Sequence, residues 1–297
     1  MTHVFNTVFR VRHDECDAYG HVYNANYLRY MQEAGIRASE DAGYDMAFFA
    51  ASDRMWLVRR THITFLRPTR MGEELEVTTW IRNLGRVRAT RAYEVRAGGD
   101  GQLVAKADTD WAFLEASTGK PARIPSELAR LMAPDDVVVK GQAADAFPDL
   151  PPLAEAPFRA NRQVAWGDVD PQRHLNNAVY LDYITDVAIE AGAHFGWDLD
   201  RCEAAGLAFI FSEQWIDYKQ PAHFGDSLEL VTWLSQMRRT TGLRHYTIRR
   251  LSDSAELAIG HSRWVCMDQA TMRPVRLPDP FLADFAAHVS PWPSNRH

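Results

Sequence analysis

Apolar and polar positions run through the same succession twice along this chain. An alternating, strand-like run at 4–11 gives way to a polar stretch and then to a helical stripe. Tyr27, Met31, Ala34, Ala38 and Ala42 recur at helix spacing while Arg29, Gln32, Glu33 and Glu40 take the other faces. The second pass opens at 158–164 and carries the stripe Tyr180, Ile184, Val187, Ala191 and Phe195. Both stripes predict helices of about 18 residues, with N-caps at Asn24 and Asn177 and C-caps at Gly43 and Gly196. Four β-type segments follow each helix, at 55–65, 74–81, 88–95 and 103–114, and again at 208–218, 227–234, 243–248 and 257–267. One strand, one long helix and four strands joined by short connections predict an α+β unit. The helix buries its stripe against one face of a curved antiparallel sheet.

The two passes keep a constant register. A spacing of 153 residues separates Asp17 from Asp170, His21 from His174, Asn24 from Asn177, Gly43 from Gly196, Pro68 from Pro221, Gly72 from Gly225, Trp80 from Trp233, Arg91 from Arg244 and Trp111 from Trp264. Matched spacing over more than a hundred residues implies matched loops, hence a duplicated domain and not only a shared motif. The expected division is domain 1 at 1–133, a linker rich in Ala, Asp and Pro at 134–157, and domain 2 at 158–297. A sheet of about five strands leaves an open edge, and the expectation is that the copies cover it as an intramolecular pseudo-dimer, with further homo-oligomerisation left open.

Composition changes this picture little. Hydrophobic residues at 46% and charged residues at 24% are those of a globular protein, against a fibrous or disordered chain. A net charge of −6 gives no footprint for nucleic acid, and the arginine clusters at 59–60, 67–70, 86–91 and 238–250 can hold phosphates of a small ligand but read first as solvated strand faces. No stretch approaches the roughly 18 apolar residues of a spanning helix, and the first ten residues lack a long apolar run with a small-residue cleavage site, so the expectation is a cytoplasmic protein without a membrane partner. Cys16, Cys202 and Cys266 sit at non-equivalent positions, which fits a reducing compartment and neither a disulfide framework nor a zinc cluster. The run from His13 to Asp17 offers metal-ligand types, but its counterpart at 166–170 keeps only two carboxylates, so no metal is expected.

The duplicated polar residues are the candidate chemistry. In each copy an aspartate (Asp17, Asp170) lies seven residues before an asparagine at the helix start (Asn24, Asn177), with a histidine (His21, His174) between them. Helix N-termini present main-chain N–H groups and positive potential, so a carbonyl oxygen can be polarised at 23–24 or 176–177 while the aspartate acts on the carbonyl carbon. That is equipment for acyl transfer. The aspartate is either a general base or a nucleophile, and the residues leave both open. An activated ester such as a thioester suits a site without a Ser-His-Asp triad. The competing reading is local: aspartates before a helix also cap turns, a histidine can serve only to orient the loop, and the asparagines matter chiefly as caps.

The stretch from Asp17 to Glu33, Asp-x-x-Gly-His-Val-x-Asn-Ala-x-Tyr-Leu-x-Tyr-x-x-Glu, with Phe65 to Glu73 and Asp217 to Asp226 later, resembles the hotdog-fold acyl-CoA thioesterases of the 4-hydroxybenzoyl-CoA thioesterase type. The resemblance spans nearly all of both copies. It implies tandem hotdog domains, each a long helix wrapped by an antiparallel sheet, and an arrangement similar to the double-hotdog acyl-ACP thioesterases. It also implies Asp17 and Asp170 as catalytic carboxylates, the amides of Asn24 and Asn177 as oxyanion donors, and no cofactor beyond the CoA of the substrate. Tyr23 replaces a frequent asparagine, Arg173 a usual glycine, and Gln172 stands where acyl-ACP thioesterases carry a catalytic asparagine. The expected function is therefore acyl-CoA hydrolysis, with acyl-ACP hydrolysis and a catalytically silent acyl-CoA-binding protein as alternatives. A hotdog hydratase is disfavoured for want of its motif.

Overall fold

In a computed structural model the chain divides into two compact units, Met1–Phe147 and Pro148–His297. The structure describes residues 4–132 and 147–291. Unit 1 runs β1 (Val4–Arg10), α1 (Asn24–Asp41), α2 (Met46–Ala51), β2 (Arg54–Phe65), β3 (Glu74–Leu84), β4 (Arg88–Ala97), β5 (Leu103–Glu115) and α3 (Ser126–Met132). Unit 2 repeats this as β6 (Phe158–Gln163), α4 (Asn177–His194), α5 (Leu199–Ala204), β7 (Leu207–Tyr218), β8 (Ser227–Ser235), β9 (Thr241–Arg250), β10 (Glu256–Asp268) and α6 (Asp279–Asp284). Within unit 1 the strands lie in the order β1-β3-β4-β5-β2, and within unit 2 β6-β8-β9-β10-β7, every neighbouring pair antiparallel. One long helix packs on each sheet, α1 against β1 and β3 and α4 against β6 and β8. This is the tandem hotdog arrangement that the resemblance implies.

The predicted stripes face inward. Tyr27, Met31, Ala34 and Ala38 are buried on α1, and Tyr180, Ile184, Val187 and Ala191 on α4, while Ala42 and Phe195 mark the ends. The C-caps are Ala42 and Phe195, one residue before the expected Gly43 and Gly196, and each helix stops at that following glycine in the left-handed region, Gly43 at φ 82° and Gly196 at φ 80°. The N–H groups of Gly43 and Tyr44 reach back to the carbonyls of Glu40 and Ser39, and those of Gly196 and Trp197 to Ala193 and Gly192, so the last carbonyls are satisfied and the helix cannot continue.

The helix starts differ from expectation by one position. The N-caps are Tyr23 and Asn176, and Asn24 and Asn177 are the first helical residues. Asn176 holds extended backbone and its Oδ1 accepts the N–H of Ala178 at 2.9 Å, which is the bond that defines a cap. The short helices α2 and α5 were not expected; both start on an aspartate, Asp45 accepting from Phe48 and Asp198 from Arg201. Of the expected linker, 134–146 lies outside the described residues. Its end packs onto unit 2: Ala154 is buried with Val231 and Trp233, and the Ala156 N–H donates to Ala287. Among the described residues no helix is long and apolar enough to cross a membrane.

Candidate active site

The loop before each long helix is closed by its own main chain. In unit 1 the Asp17 N–H donates to the His21 carbonyl at 2.8 Å and the Gly20 N–H to the Asp17 carbonyl at 2.9 Å. Unit 2 repeats both bonds, Asp170 to His174 at 2.9 Å and Arg173 to Asp170 at 2.8 Å. The turn needs a left-handed residue, supplied by Gly20 at φ 74° in unit 1 and by Arg173 at φ 62° in unit 2. Long-range bonds then seat the loop on the strand connection, from the Val22 N–H to the Thr69 carbonyl and from the Leu175 N–H to the Ala222 carbonyl, each 2.8 Å.

Each aspartate divides its carboxylate. Asp17 Oδ1 accepts the N–H groups of Tyr19 and His21, at 2.9 and 3.1 Å, and Asp170 Oδ1 accepts that of Gln172 at 2.9 Å. Among the described residues neither Oδ2 makes a hydrogen bond. The turn-capping role weighed from sequence is therefore present, and it occupies one oxygen and leaves the other open. Burial raises the Asp170 carboxyl above the usual range, against the lowering effect of the Gln172 and His174 N–H groups and of the His174 ring.

The histidines serve the loop through their main chains. Burial lowers both rings, with Arg70 adding to this at His21 and His223 at His174. His174 Nδ1 is excluded from solvent and has no hydrogen-bond partner among the described residues, and the ring meets His223 edge to face, centroids 5.2 Å apart. The loop-orienting bond expected of the ring is made instead by the histidine carbonyl. Asn24 and Asn177 open the helices, where amides of the first turn point out of the N-terminus. Among the described residues the Asn177 N–H makes no hydrogen bond, while its carbonyl accepts from the Tyr218 hydroxyl at 3.0 Å. In each unit the aspartate, the histidine and the helix start thus share one short, bonded loop.

A second carboxylate in each loop escaped the sequence reading. Glu15 is buried; it accepts the Tyr30 hydroxyl at 2.6 Å, the Arg12 N–H at 2.7 Å and the Arg12 guanidinium at 3.0 Å, and its carbonyl accepts the Tyr23 N–H and the Asn26 side-chain amide, each at 2.9 Å. Asp168 is its counterpart: its Oδ2 accepts from Tyr183 at 2.7 Å and Ala165 at 2.9 Å, and its carbonyl takes the Asn176 N–H at 2.9 Å. Burial alone would raise the Glu15 carboxyl, but the Tyr30 and Arg12 bonds outweigh it and the group lies below its ordinary value. These pairs tie the long helix to the turn that carries the aspartate. The signal was present, because Glu15 and Asp168, and Tyr30 and Tyr183, obey the same 153-residue spacing.

Comparison with known proteins bears on both units. The sequence profile of the thioesterase-like superfamily matches residues 11–132 and again 164–285. The acyl-[acyl-carrier-protein] hydrolase FATB2 of Cuphea viscosissima is 23% identical over 270 residues, 88% of this chain and 62% of that protein. The chain thus spans about three-fifths of the length of this relative. Among solved structures, the 12:0-ACP thioesterase from Umbellularia californica superposes with a TM-score of 0.71 at 20% identity, covering 89% of this chain and 94% of that one. An acyl-ACP thioesterase from Bacteroides thetaiotaomicron gives 0.67 at 17%, covering 88% and 97%. At these identities the structures establish a shared fold. With the profile matched once in each repeat, over most of the chain, the chain belongs to the thioesterase-like superfamily.

Proposed function

We propose that the protein hydrolyses acyl-CoA thioesters to the free acid and CoA, with Asp17, Asp170 or both as the working carboxylate. The observation that carries this reading is the divided carboxylate: one oxygen pinned by loop N–H groups, the other open, on a loop that ends at a helix N-terminus. The thioester carbonyl oxygen is placed at the first-turn amides, those of Asn24 or Asn177, where N–H groups stabilise the developing oxyanion. Acting as base, the aspartate takes a proton from water as the water oxygen attacks the carbonyl carbon. The tetrahedral intermediate then expels the thiolate, breaking the C–S bond, and the proton passes to sulfur. Acting as nucleophile, the open oxygen forms a mixed anhydride with loss of the thiolate, and water releases the acid. His21 and His174 position the loop in either route. The reaction draws on water and on no metal or organic cofactor.

A second reading, acyl-ACP hydrolysis, is favoured by the 23% identity to an acyl-[acyl-carrier-protein] hydrolase. Thiol release from a series of acyl-CoAs, short to long and aliphatic to aromatic, tests the proposal on the wild type, Asp17→Asn and Asp170→Asn. At least one variant is expected to lose about 10²- to 10⁴-fold in kcat while remaining folded. Undiminished turnover in the double variant would exclude the carboxylate mechanism, and turnover of acyl-ACP alone would select the second reading.

A further inference from the structure

Four residues around the unit 2 loop depart from the repeat and meet at one place. Where unit 1 has His13, Gly20, Arg70 and Met71, unit 2 has Trp166, Arg173, His223 and Phe224. Trp166 is 76% exposed and Phe224 58%, the indole and phenyl rings meeting edge to face with centroids 5.5 Å apart. His223 follows the same turn; its Nδ1 lies 3.2 Å from the Arg173 carbonyl and its ring rests on His174. Arg173 is exposed and forms no ion pair among the described residues. Of the acids around this turn, Asp226 is engaged by Arg250 and the His223 N–H and Asp168 by Tyr183, while Asp170 meets Arg173 through its main-chain carbonyl and forms no ion pair with it among the described residues.

Two features of this rim lack a folding explanation. A tryptophan exposed to this degree contributes little to a core. An arginine at φ 62° sits in backbone that glycine holds in the other copy without strain, and residues kept in such conformations concentrate at ligand sites. With Phe224 they offer two aromatic rings and an arginine that forms no ion pair among the described residues, three residues along the chain from Asp170. Flat rings stack on heteroaromatic bases and a guanidinium grips phosphate oxygens in a two-pronged bond. A nucleotide carries both groups, whereas the phosphopantetheine arm of a carrier protein carries no base.

We propose that Trp166, Phe224 and Arg173 bind the adenine nucleotide end of CoA, which makes CoA and not a carrier protein the thiol carrier served by the unit 2 loop. This rests on the reading of Asp170 as the thioester-handling carboxylate. The test compares kcat/KM for one acyl group carried on CoA and on pantetheine, which lacks the nucleotide, in the wild type, Trp166→Ala, Trp166→Phe and Arg173→Gly. Isothermal titration with 3′-phosphoadenosine 5′-diphosphate runs alongside. Neither small variant threatens folding: Trp166 is exposed, and glycine adopts the Arg173 backbone without strain.

The wild type is expected to prefer acyl-CoA. Trp166→Ala and Arg173→Gly should each lower the CoA-to-pantetheine ratio and weaken nucleotide binding about tenfold, with Trp166→Phe retaining most of both. A ratio near one in the wild type, or equal ratios and equal nucleotide affinities in all four proteins, overturns the proposal. If neither thioester is turned over, the acyl-CoA reading itself fails, and the titration still decides the rim: binding weakened by the variants supports it and unchanged binding overturns it.

Discussion

At the scale of single residues, the two copies solve the same turn with different strain. Gly20 at φ 74° has room for a Cβ, whose nearest neighbour would be an Arg70 nitrogen at 3.7 Å, so Gly20→Ala is charged only for backbone conformation. Its urea midpoint should fall by the equivalent of about 1 kcal/mol. Arg173→Gly should gain less than that, because glycine also adds entropy to the unfolded chain. Asp170 carries a signed prediction of its own. Its folded carboxyl is raised by burial, so the folded state holds the proton over a range in which the unfolded chain has released it. The stabilisation is complete below the unfolded value and is lost as pH rises through the folded value. Asp170→Asn, which stays neutral, should therefore melt higher than wild type at pH 7, and the difference should vanish in acid. A variant that melts lower at pH 7 would contradict the burial argument. Asparagine keeps the Oδ1 that accepts from Gln172, so the turn survives the change.

At the scale of elements, the sheets carry unlike chemistry at equivalent positions, an accessible ion pair in unit 1 and a buried histidine cluster in unit 2. Arg82 on β3 and Asp108 on β5 form an ion pair at 2.6 Å in unit 1. The matching positions in unit 2 are Ser235 and His261, joined through His245, whose counterpart is Ala92. Ser235 Oγ lies 2.6 Å from His245 Nε2, and the Nδ1 atoms of His245 and His261 are 2.7 Å apart, so one ring donates to the other. Nearby, Arg244 donates to His288 Nε2 at 2.9 Å, and His288 Nδ1 lies 2.9 Å from the Ala156 carbonyl, which fixes that ring as neutral with its proton on Nδ1. Burial pushes His245 down to about 2, aided by His261 and Arg244, and pushes His261 and His288 down to about 3, with Arg244 aiding the latter. Each folded value is depressed, so each contribution is present above the unfolded value near 6.5 and is lost as pH falls toward the folded one. Unit 2 should lose roughly 1.4 kcal/mol per pH unit for each histidine below about pH 6.5. Urea unfolding between pH 7.5 and 5.5 reads this slope directly. His245→Ala, which installs the residue found in unit 1, should make it shallower; a slope unchanged by that substitution would place the acid sensitivity elsewhere.

At the scale of the whole molecule, duplication has left two loops with the same bonds and different rims. The single Asp→Asn variants rank them: a large loss in one and a small loss in the other means that one copy has kept the chemistry and its twin the scaffold. The two long helices, the strands and the Asp-His-Asn positions were legible along the chain, because periodicity, glycine stops and turn-forming residues act over a few neighbours. The one-residue error at the start of α4 has a local cause too, since asparagines stand at both 176 and 177 and only the backbone shows which one caps; in α1 the cap is Tyr23, which makes no side-chain cap bond. Constant spacing between the copies likewise marked Glu15 with Asp168 and Tyr30 with Tyr183, although their meaning required the hydroxyl-to-carboxylate contacts. What the tertiary structure alone decided are the meetings of residues far apart in the chain: Val22 on Thr69, Tyr30 on Glu15, His245 on His261, Trp166 on Phe224. Such meetings follow from strand register and helix docking, where a slip of one residue turns every side chain to the opposite face, and no local pattern encodes the choice.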